Sequence, residues 1–492
     1  MLPTSTMPSP GRTAWPASSA VRDPRFMSTP AGEGTRTTSL GATSKDSESL
    51  PRGQLIRFAI APVGITAMAF VNALYLFKYS TDVLLIAPGV MGVIYFIGRV
   101  WDAITDPLVG RLSDRTRSPL GRRRVWIFAS IPATAGAFGM LWAPPGSLST
   151  SALAFWIGTA LLLFSTAQTM FMVPHFALGV EMSDAHHERT RIFGFRQLVG
   201  GAGLLLGMFS FFGLATAEDP RAFAPWMAIA LPILAALAIL AGIGRLRERT
   251  EFQDRGGETL VRAFWDVFRN PHARRLLLMY GIESFGPAAS GILSVYVTQY
   301  VVKVPQQYYL IVLLLHVGPA FALAPLWTRL SRRIGKRRLW YRGTIVAAIA
   351  YTLHSFLAEG TFVFWCLISV VQGATSGLAQ VVGPSLKADV IDWDELQSGE
   401  RKEGAYMAAW TFMQKAAGGL CGIFVGFALQ TVGFEPNVEQ SETTQWTILA
   451  LYGALPGAAY AVGAWLLSRF ELDERTHQAV RAELEVRRRG SR

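Results

Sequence analysis

Cysteine and charge are both scarce in this chain. Two cysteines, Cys366 and Cys421, occur in 492 residues, and both lie inside apolar runs. A disulfide framework or a zinc-ribbon spacing is therefore excluded. Asp, Glu, Lys and Arg make up only 16% of the sequence, against about 25% in soluble domains. Signatures of chemistry are missing as well: there is no P-loop, no His-Glu-x-x-His and no nucleophile elbow. An enzyme is not expected, nor an ATP-driven pump, nor a cofactor. Residues 1–50 hold no apolar run long enough for a secretory signal.

What is present is apolar. Hydrophobic residues make up 51% of the chain, with 30 Phe and 14 Trp. Runs of roughly 20 apolar residues recur, each long enough to cross about 30 Å of hydrocarbon as a helix. Twelve spans are expected, at 56–79, 89–111, 124–143, 151–178, 192–214, 223–243, 274–299, 307–329, 339–358, 361–386, 405–431 and 446–468. The fold class expected is an all-α membrane protein built as two six-helix halves. In outline, 1–54 is a disordered cytoplasmic N-terminal tail and 55–244 the first half. Residues 245–273 form a cytoplasmic linker, 274–470 the second half and 471–492 a cytoplasmic C-terminal tail.

The net charge of +12 would suggest nucleic acid in a soluble chain, but here the basic residues sit between apolar runs. The link after helix 2 carries Arg111, Arg115, Arg117, Arg122, Arg123 and Arg124. The link after helix 8 carries Arg329, Arg332, Arg333, Lys336, Arg337 and Arg338. The odd links hold only Arg221 and Lys303. The positive-inside rule then places both termini and the even links in the cytoplasm of a plasma-membrane protein. A small-molecule substrate and the bilayer are the expected partners, with no nucleic acid and a monomeric chain. The two basic links also repeat: Pro107-Leu108, Arg111-Leu112-Ser113, Arg123-Arg124 and Trp126 return as Pro325-Leu326, Arg329-Leu330-Ser331, Arg337-Arg338 and Trp340. Two parallel copies with a site between them near the midplane is a transporter plan.

An ionisable side chain inside a spanning helix costs at least ~2.5–3.5 kcal/mol, so each marks a functional candidate. Helix 2 carries Arg99, Asp102 and Asp106, spaced three and four apart on one face. Two carboxylates about 6 Å apart along the axis with one nearby cation call for a further positive charge, which Na+ or a proton supplies. Pro107 frees the Ala103 carbonyl at the same depth. Arg196 on helix 5 and Lys415 on helix 11 suit an anionic or hydroxyl-rich substrate, or neutralise the helix 2 acids. Glu283 on helix 7 is a possible proton site. His175 and His316 read as packed histidines, and Lys78 and Asp82 as residues snorkelling at the outer end of helix 1. Asp114 and Arg115 after helix 2, with Asp389 and Arg401 after helix 10, suit a cytoplasmic latch between the halves. Exposed pairs are worth only about 0–1 kcal/mol each, so a latch needs several.

Gly98-Arg-Val-Trp-Asp-Ala-Ile-Thr-Asp-Pro107 with Ser118-Pro-Leu-Gly-Arg-Arg-Arg124 resembles the signature of the glycoside–pentoside–hexuronide:cation symporters, a major-facilitator branch that includes the melibiose permease. Ala388-Asp-Val-Ile-Asp392 with Gly399-Glu-Arg401 and Gly404 is similar to that family's helix 10–11 motif. The resemblance runs from about Leu55 to Arg481. It implies a major-facilitator fold and cation-coupled uptake of a sugar or glycoside by alternating access. It implies a cation site at Asp102, Asp106 and Thr169, holding Na+ or H+. Substrate contacts are implied at Arg196 and Lys415, and at Thr66 and Gln380, which stand where the melibiose permease has its sugar-binding aspartate and tryptophan. Met172 stands in place of a third cation-site acid. Because the sugar half of the pattern is the less complete, a lysolipid or other amphiphile is the alternative substrate. A non-transporting receptor or scaffold would have no use for two midplane carboxylates.

Overall fold

The computed structural model describes residues 50–183, 186–244, 246, 248, 267–400, 402–470, 472 and 474–490. The N-terminal tail, most of the central linker and Arg401 lie outside the described residues. Every helix or strand assigned among the described residues is a helix. In chain order they are α1 (Arg52–Val83), α2 (Pro88–Arg115), α3 (Arg124–Trp142), α4 (Thr150–Glu181), α5 (His186–Thr216) and α6 (Pro220–Ile243). Then come α7 (Pro271–Val301), the bent α8 (Gln306–Ala322 and Ala324–Ile334), α9 (Lys336–Leu353), α10 (Phe362–Ser398), α11 (Glu403–Thr431), α12 (Glu442–Ser468) and α13 (Glu474–Gly490).

Nine described helices are long and apolar enough to cross a membrane, or ten if the pair forming α8, bent by 49°, is one span. The expected count of twelve is not reached by that test. The expected spans 2 and 9 do form helices, α2 and α9, but both carry too much charge to pass. Arg99, Asp102 and Asp106 lie within α2, and α9 opens on Lys336-Arg337-Arg338.

The closest contact between the first six and the last six helices is α2 against α11. Small residues allow it. A Cβ built on Gly426 would lie 2.4 Å from the Pro88 carbonyl oxygen and 3.0 Å from the Gly92 Cα. Two helix backbones that meet this closely leave no room for a side chain. Gly426→Val should therefore force α2 and α11 apart and lower the thermal midpoint of the purified protein by several degrees, as overpacking costs about 1–3 kcal/mol.

The Arg-rich links gather at one end of the bundle, the basic end; the opposite end is called the far end. At the far end α1 and α7 finish in matching corners. Each closes with a π-helical turn, Tyr79–Val83 and Val297–Val301. Each turn is followed by a non-glycine residue in the left-handed region, Leu85 at φ 57° and Lys303 at φ 55°. Matching hydrogen bonds brace them, Ile86 N–H to Ser80 O at 2.9 Å and Val304 N–H to Thr298 O at 3.1 Å. The corners stand at the same separation in sequence as Pro107 and Pro325, so the internal repeat extends to the start of each copy.

Beyond the second corner, Lys303 donates to Glu439 at 2.6 Å and approaches Glu359 at 3.3 Å. The hydrogen bonds to these two carboxylates hold its ammonium pKa above the usual lysine value. At the basic end Arg122 and Arg123 both pair with Glu181. Within the expected C-terminal tail, Glu474–Gly490 forms the helix α13. It lays Val480 and Leu484 on Leu396 of α10, with His477 Nε2 3.0 Å from Asp392 and Arg488 2.5 Å from Glu395.

Candidate functional site

Asp102 and Asp106 leave α2 on the face turned toward α4 and α11. The i, i+4 spacing stacks the two carboxylates one turn apart, and α11 supplies the cation between them. Lys415 Nζ is 2.5 Å from Asp106 Oδ2 and 3.9 Å from Asp102 Oδ2. Arg99 Nη1 lies 3.7 Å from the same Asp102 Oδ2. Thr169 of α4 donates its hydroxyl to Asp106 Oδ1 at 2.9 Å. Asp102, Asp106, Thr169 and Lys415 are thus brought together from three helices, as the sequence suggested for the first three. Of the two expectations for Lys415, the geometry here shows contact with the α2 acids.

These groups line a cavity of about 500 Å3 that continues along Met172, Phe176 and Ala177 of α4 toward the basic end. Arg196 of α5 faces it. Its Nη2 contacts the Met172 sulfur at 3.8 Å, and its guanidinium lies 5.8 Å from the centre of the Phe176 ring. Arg196 pairs with no carboxylate among the described residues. A second cavity of about 220 Å3 shares Arg99, Asp102 and Gln168 with the first and adds Asn72, Tyr95 and Ser165.

Other expected residues fall elsewhere. Thr66 packs where α1 meets α5, its Cβ 2.9 Å from a Cβ built on Gly203. Gln380 is exposed, and its amide reaches only Ser376, at 3.4 Å. Neither lines the charged cavity. Glu283 is buried among α7, α9 and α12, accepting from Thr344 at 3.3 Å. It too stands apart from the charged cavity. His175 is the packed histidine expected, buried between Phe58 and Phe171 with Nε2 3.0 Å from the Phe58 carbonyl. His316 is not packed in that way and lines cavities.

The latch residues pair within their own six-helix set. Asp114 takes Arg123 at 3.1 Å, and Asp389 takes Lys336 at 3.1 Å and His477 at 3.5 Å. Arg115 is exposed and has no ion-pair partner among the described residues. Asp389 does meet the basic link after helix 8 as expected, but that contact ties α10 to α9 and not one half to the other.

Besides the Lys415 pair, further ties across the bundle lie at the far end, at residues whose place in the sequence suggests snorkelling. Lys78 and Asp82 do not snorkel. They are buried, 1% and 7% exposed, and paired with each other. The Tyr300 hydroxyl of α7 donates to Asp82, and the Lys78 ammonium sits 4.7 Å and 4.5 Å from the ring centres of Tyr296 and Tyr300. Thr81 and Tyr296 share a hydrogen bond of 2.5 Å, and Asn437 donates to the Asp82 carbonyl at 2.7 Å. Tyr75 to Gln306, at 3.3 Å, and Gly89 N–H to Gln430, at 3.1 Å, complete the closure. One apolar-run charge pair and a tyrosine pair in α7 are the only signals in sequence; their meeting is not legible there.

Against known proteins, residues 57–474 match the family profile described as MFS/sugar transport protein. A candidate sulfoquinovose importer of Escherichia coli is 26% identical over 454 residues, covering 88% of this chain and 93% of its own. The sodium-dependent lysophosphatidylcholine symporter 1 of Gallus gallus is 24% identical over 455 residues, covering 84% and 85%. Among solved structures, the nucleoside transporter NupG superposes with a TM-score of 0.61 at 12% identity, covering 84% of this chain and 98% of the other.

Proposed function

From its membership of the MFS/sugar transport protein family, which makes this chain a membrane transporter and not an enzyme, we propose that it is a cation-coupled symporter whose coupling site is the Asp102–Asp106 pair. The observation that carries this reading is the position of Lys415. Two carboxylates at membrane depth need positive charge, and here a lysine of the opposite half supplies it. A small alkali cation or a proton on Asp102 and Asp106 competes for the same oxygens. When the ion arrives, Lys415 is released from Asp106 and α11 is free to shift against α2. Ion binding is thereby tied to the contact that holds the two halves together.

The charge balance points to the solute. Arg99 and Lys415 match Asp102 and Asp106, so Arg196 is the uncompensated cation of the cavity. It favours a solute with an anionic or strongly accepting group, such as a sugar acid or a sulfonated sugar. Sugar transport is the family's description, and the sulfoquinovose and lysophosphatidylcholine relatives set the range worth testing. With the positive-inside assignment, the basic end faces the cytoplasm of the cell membrane and the far end faces outside. The state described is then closed outside. A tag placed after Arg492 should be reachable only after permeabilisation; labelling on intact cells would reverse the orientation.

The test of function is uptake into proteoliposomes of labelled glycosides, sugar acids, sulfonated sugars and lysophospholipids, under a Na+ gradient or a pH gradient imposed separately. Accumulation of one class above equilibrium under one gradient is expected; equilibration without accumulation would remove the symport reading. Met172→Asp tests the free cation. Its carboxylate would meet Arg196, and a charge-assisted pair worth about 1.5–3 kcal/mol should weaken binding of an anionic solute by about tenfold or more. Calorimetric titration of the variant against wild type measures it.

A further inference from the structure

A third pocket, about 220 Å3 in volume, lies where α1 meets α7, α8, α9, α10 and α12. Its walls are the rings of Phe70, Tyr309, Tyr351 and Tyr452, with His316 of α8 and Gln372 of α10 between them. No charged side chain lines it. Ala73 of α1 borders both this pocket and the chamber that holds Arg99 and Asp102. Asn72 and Leu74 on either side of it are buried at 6%, yet Ala73 is exposed, so its methyl faces open space.

Ser369 and Tyr452 of this pocket are paired, the first donating to the Trp365 carbonyl at 2.8 Å and the second accepting from Trp365 Nε1 at 3.2 Å, whereas Gln372 and His316 show no side-chain partner among the described residues. Gln372 is 7% exposed, and its side-chain amide has no hydrogen bond among the described residues. Neither ring nitrogen of His316 has one among the described residues. Their proximity is built into the backbone: a Cβ on Gly373 would lie 2.0 Å from the His316 carbonyl oxygen, so only glycine lets α10 come this close to α8. Polar side chains that line a cavity without a protein partner are open to water or a ligand. A convergent pair of such groups in an aromatic pocket is the usual form of a small-molecule site.

The geometry points to a neutral-ring subsite: we infer that the Tyr309–Tyr351–Tyr452 pocket receives a neutral, hydroxyl-bearing ring of the transported solute, held by Gln372 and His316. An amide and an imidazole each offer a donor and an acceptor, which matches a hydroxyl group that both gives and takes. Aromatic faces cover the C–H face of such a ring. A charged group is disfavoured because the pocket holds no counter-charge to offset its burial. The inference rests on the central space being the transport site. It deepens that reading by dividing the solute into an ionic part near Arg196 and a neutral ring across Ala73.

The test is direct binding to the purified full chain by isothermal titration calorimetry. The probes are methyl and 4-nitrophenyl glycosides of glucose and galactose, with the corresponding glucuronides. At least one neutral glycoside should bind, and Gln372→Leu should weaken it tenfold or more. The thermal midpoint of Gln372→Leu without ligand should equal or exceed wild type, since no hydrogen bond of the folded protein is lost. Ala73→Phe, which fills the shared wall, should weaken the same probe. Undiminished binding in folded Gln372→Leu, a lowered midpoint that accounts for the lost binding, or no binding of any probe would each overturn the subsite. Gradient-driven uptake is scored separately: a carrier that binds a glycoside through Gln372 but accumulates nothing loses the symport reading and keeps the pocket.

Discussion

Asp102→Asn and Asp106→Asn are each expected to abolish uphill accumulation while leaving the protein folded. Either change keeps the shape of the side chain and deletes one unit of negative charge from a pair that Lys415 spans at 2.5 Å and 3.9 Å. An ion held at low dielectric between two carboxylates loses a principal ligand. Removing one partner of a buried charge cluster costs about 3–5 kcal/mol, which corresponds to a fall in ion affinity on the order of 100-fold or more. Asp102 should show the larger loss, because its side chain is 14% exposed against 31% for Asp106. Downhill exchange of solute should survive in part, since Arg196 belongs to a different helix. If Asp102 and Asp106 served only to anchor Arg99 and Lys415, the variants would lose stability and whatever folded would still accumulate solute. Accumulation per folded carrier, measured at saturating gradient, separates the two, and wild-type values in both variants would remove the ion-site assignment.

The second large effect is expected at the far end. Asp82→Leu leaves the Lys78 ammonium, 1% exposed, facing two tyrosine rings and no carboxylate. The cost of that uncompensated charge, about 3–5 kcal/mol, falls on the closed arrangement alone, because opening the far end returns Lys78 to water. A cost of this size moves a two-state equilibrium by roughly 100-fold or more. Ser290→Cys, placed behind the closure, should therefore become reactive to a membrane-impermeant maleimide from the far side when Asp82 is replaced by leucine. Pairing Asp82→Leu with Lys78→Met removes the stranded charge and should return labelling toward the background level. Equal labelling in the single and double variants would mean that the ion pair does not hold this end shut.

How much of this is legible in the sequence depends on the range of each interaction. The helices are, because apolar runs and the basic links are local signals; the expected span 89–111 is Pro88–Arg115 in the structure, and 151–178 is Thr150–Glu181. Helix 10 runs past its expected end at 386, where its polar continuation loses the apolar pattern. It stays helical to Ser398 because Asp389 and Glu395 find Lys336 and Arg488 on other elements. The α2 acids are legible by spacing and cost. The bond from Lys415 to Asp106 spans 309 residues, and in the sequence it is one option of two. Gln372 gives no signal, since one polar residue in an apolar run looks the same whether it is satisfied or not. Thr66 and Gln380 are placed by correspondence with a family pattern, and neither lines the charged cavity here.

The matching corners of α1 and α7 bear on ancestry. In a pair of identical half-length chains related by a twofold axis, a residue near the axis meets its own counterpart. Asp82 and Tyr300 hold the same place in the two copies of the repeat, and they are bonded to each other; Lys78 and Tyr296 also hold equivalent places, and the ammonium lies over that ring. The closure thus joins equivalent places of the two copies. In a symmetric ancestor, an acid at this place would have faced an acid and a lysine a lysine. In a single chain each side can change alone, and here the charges stand on one corner and their tyrosine partners on the other. A barrier between two compartments could in this way become asymmetric without altering the backbone that forms it.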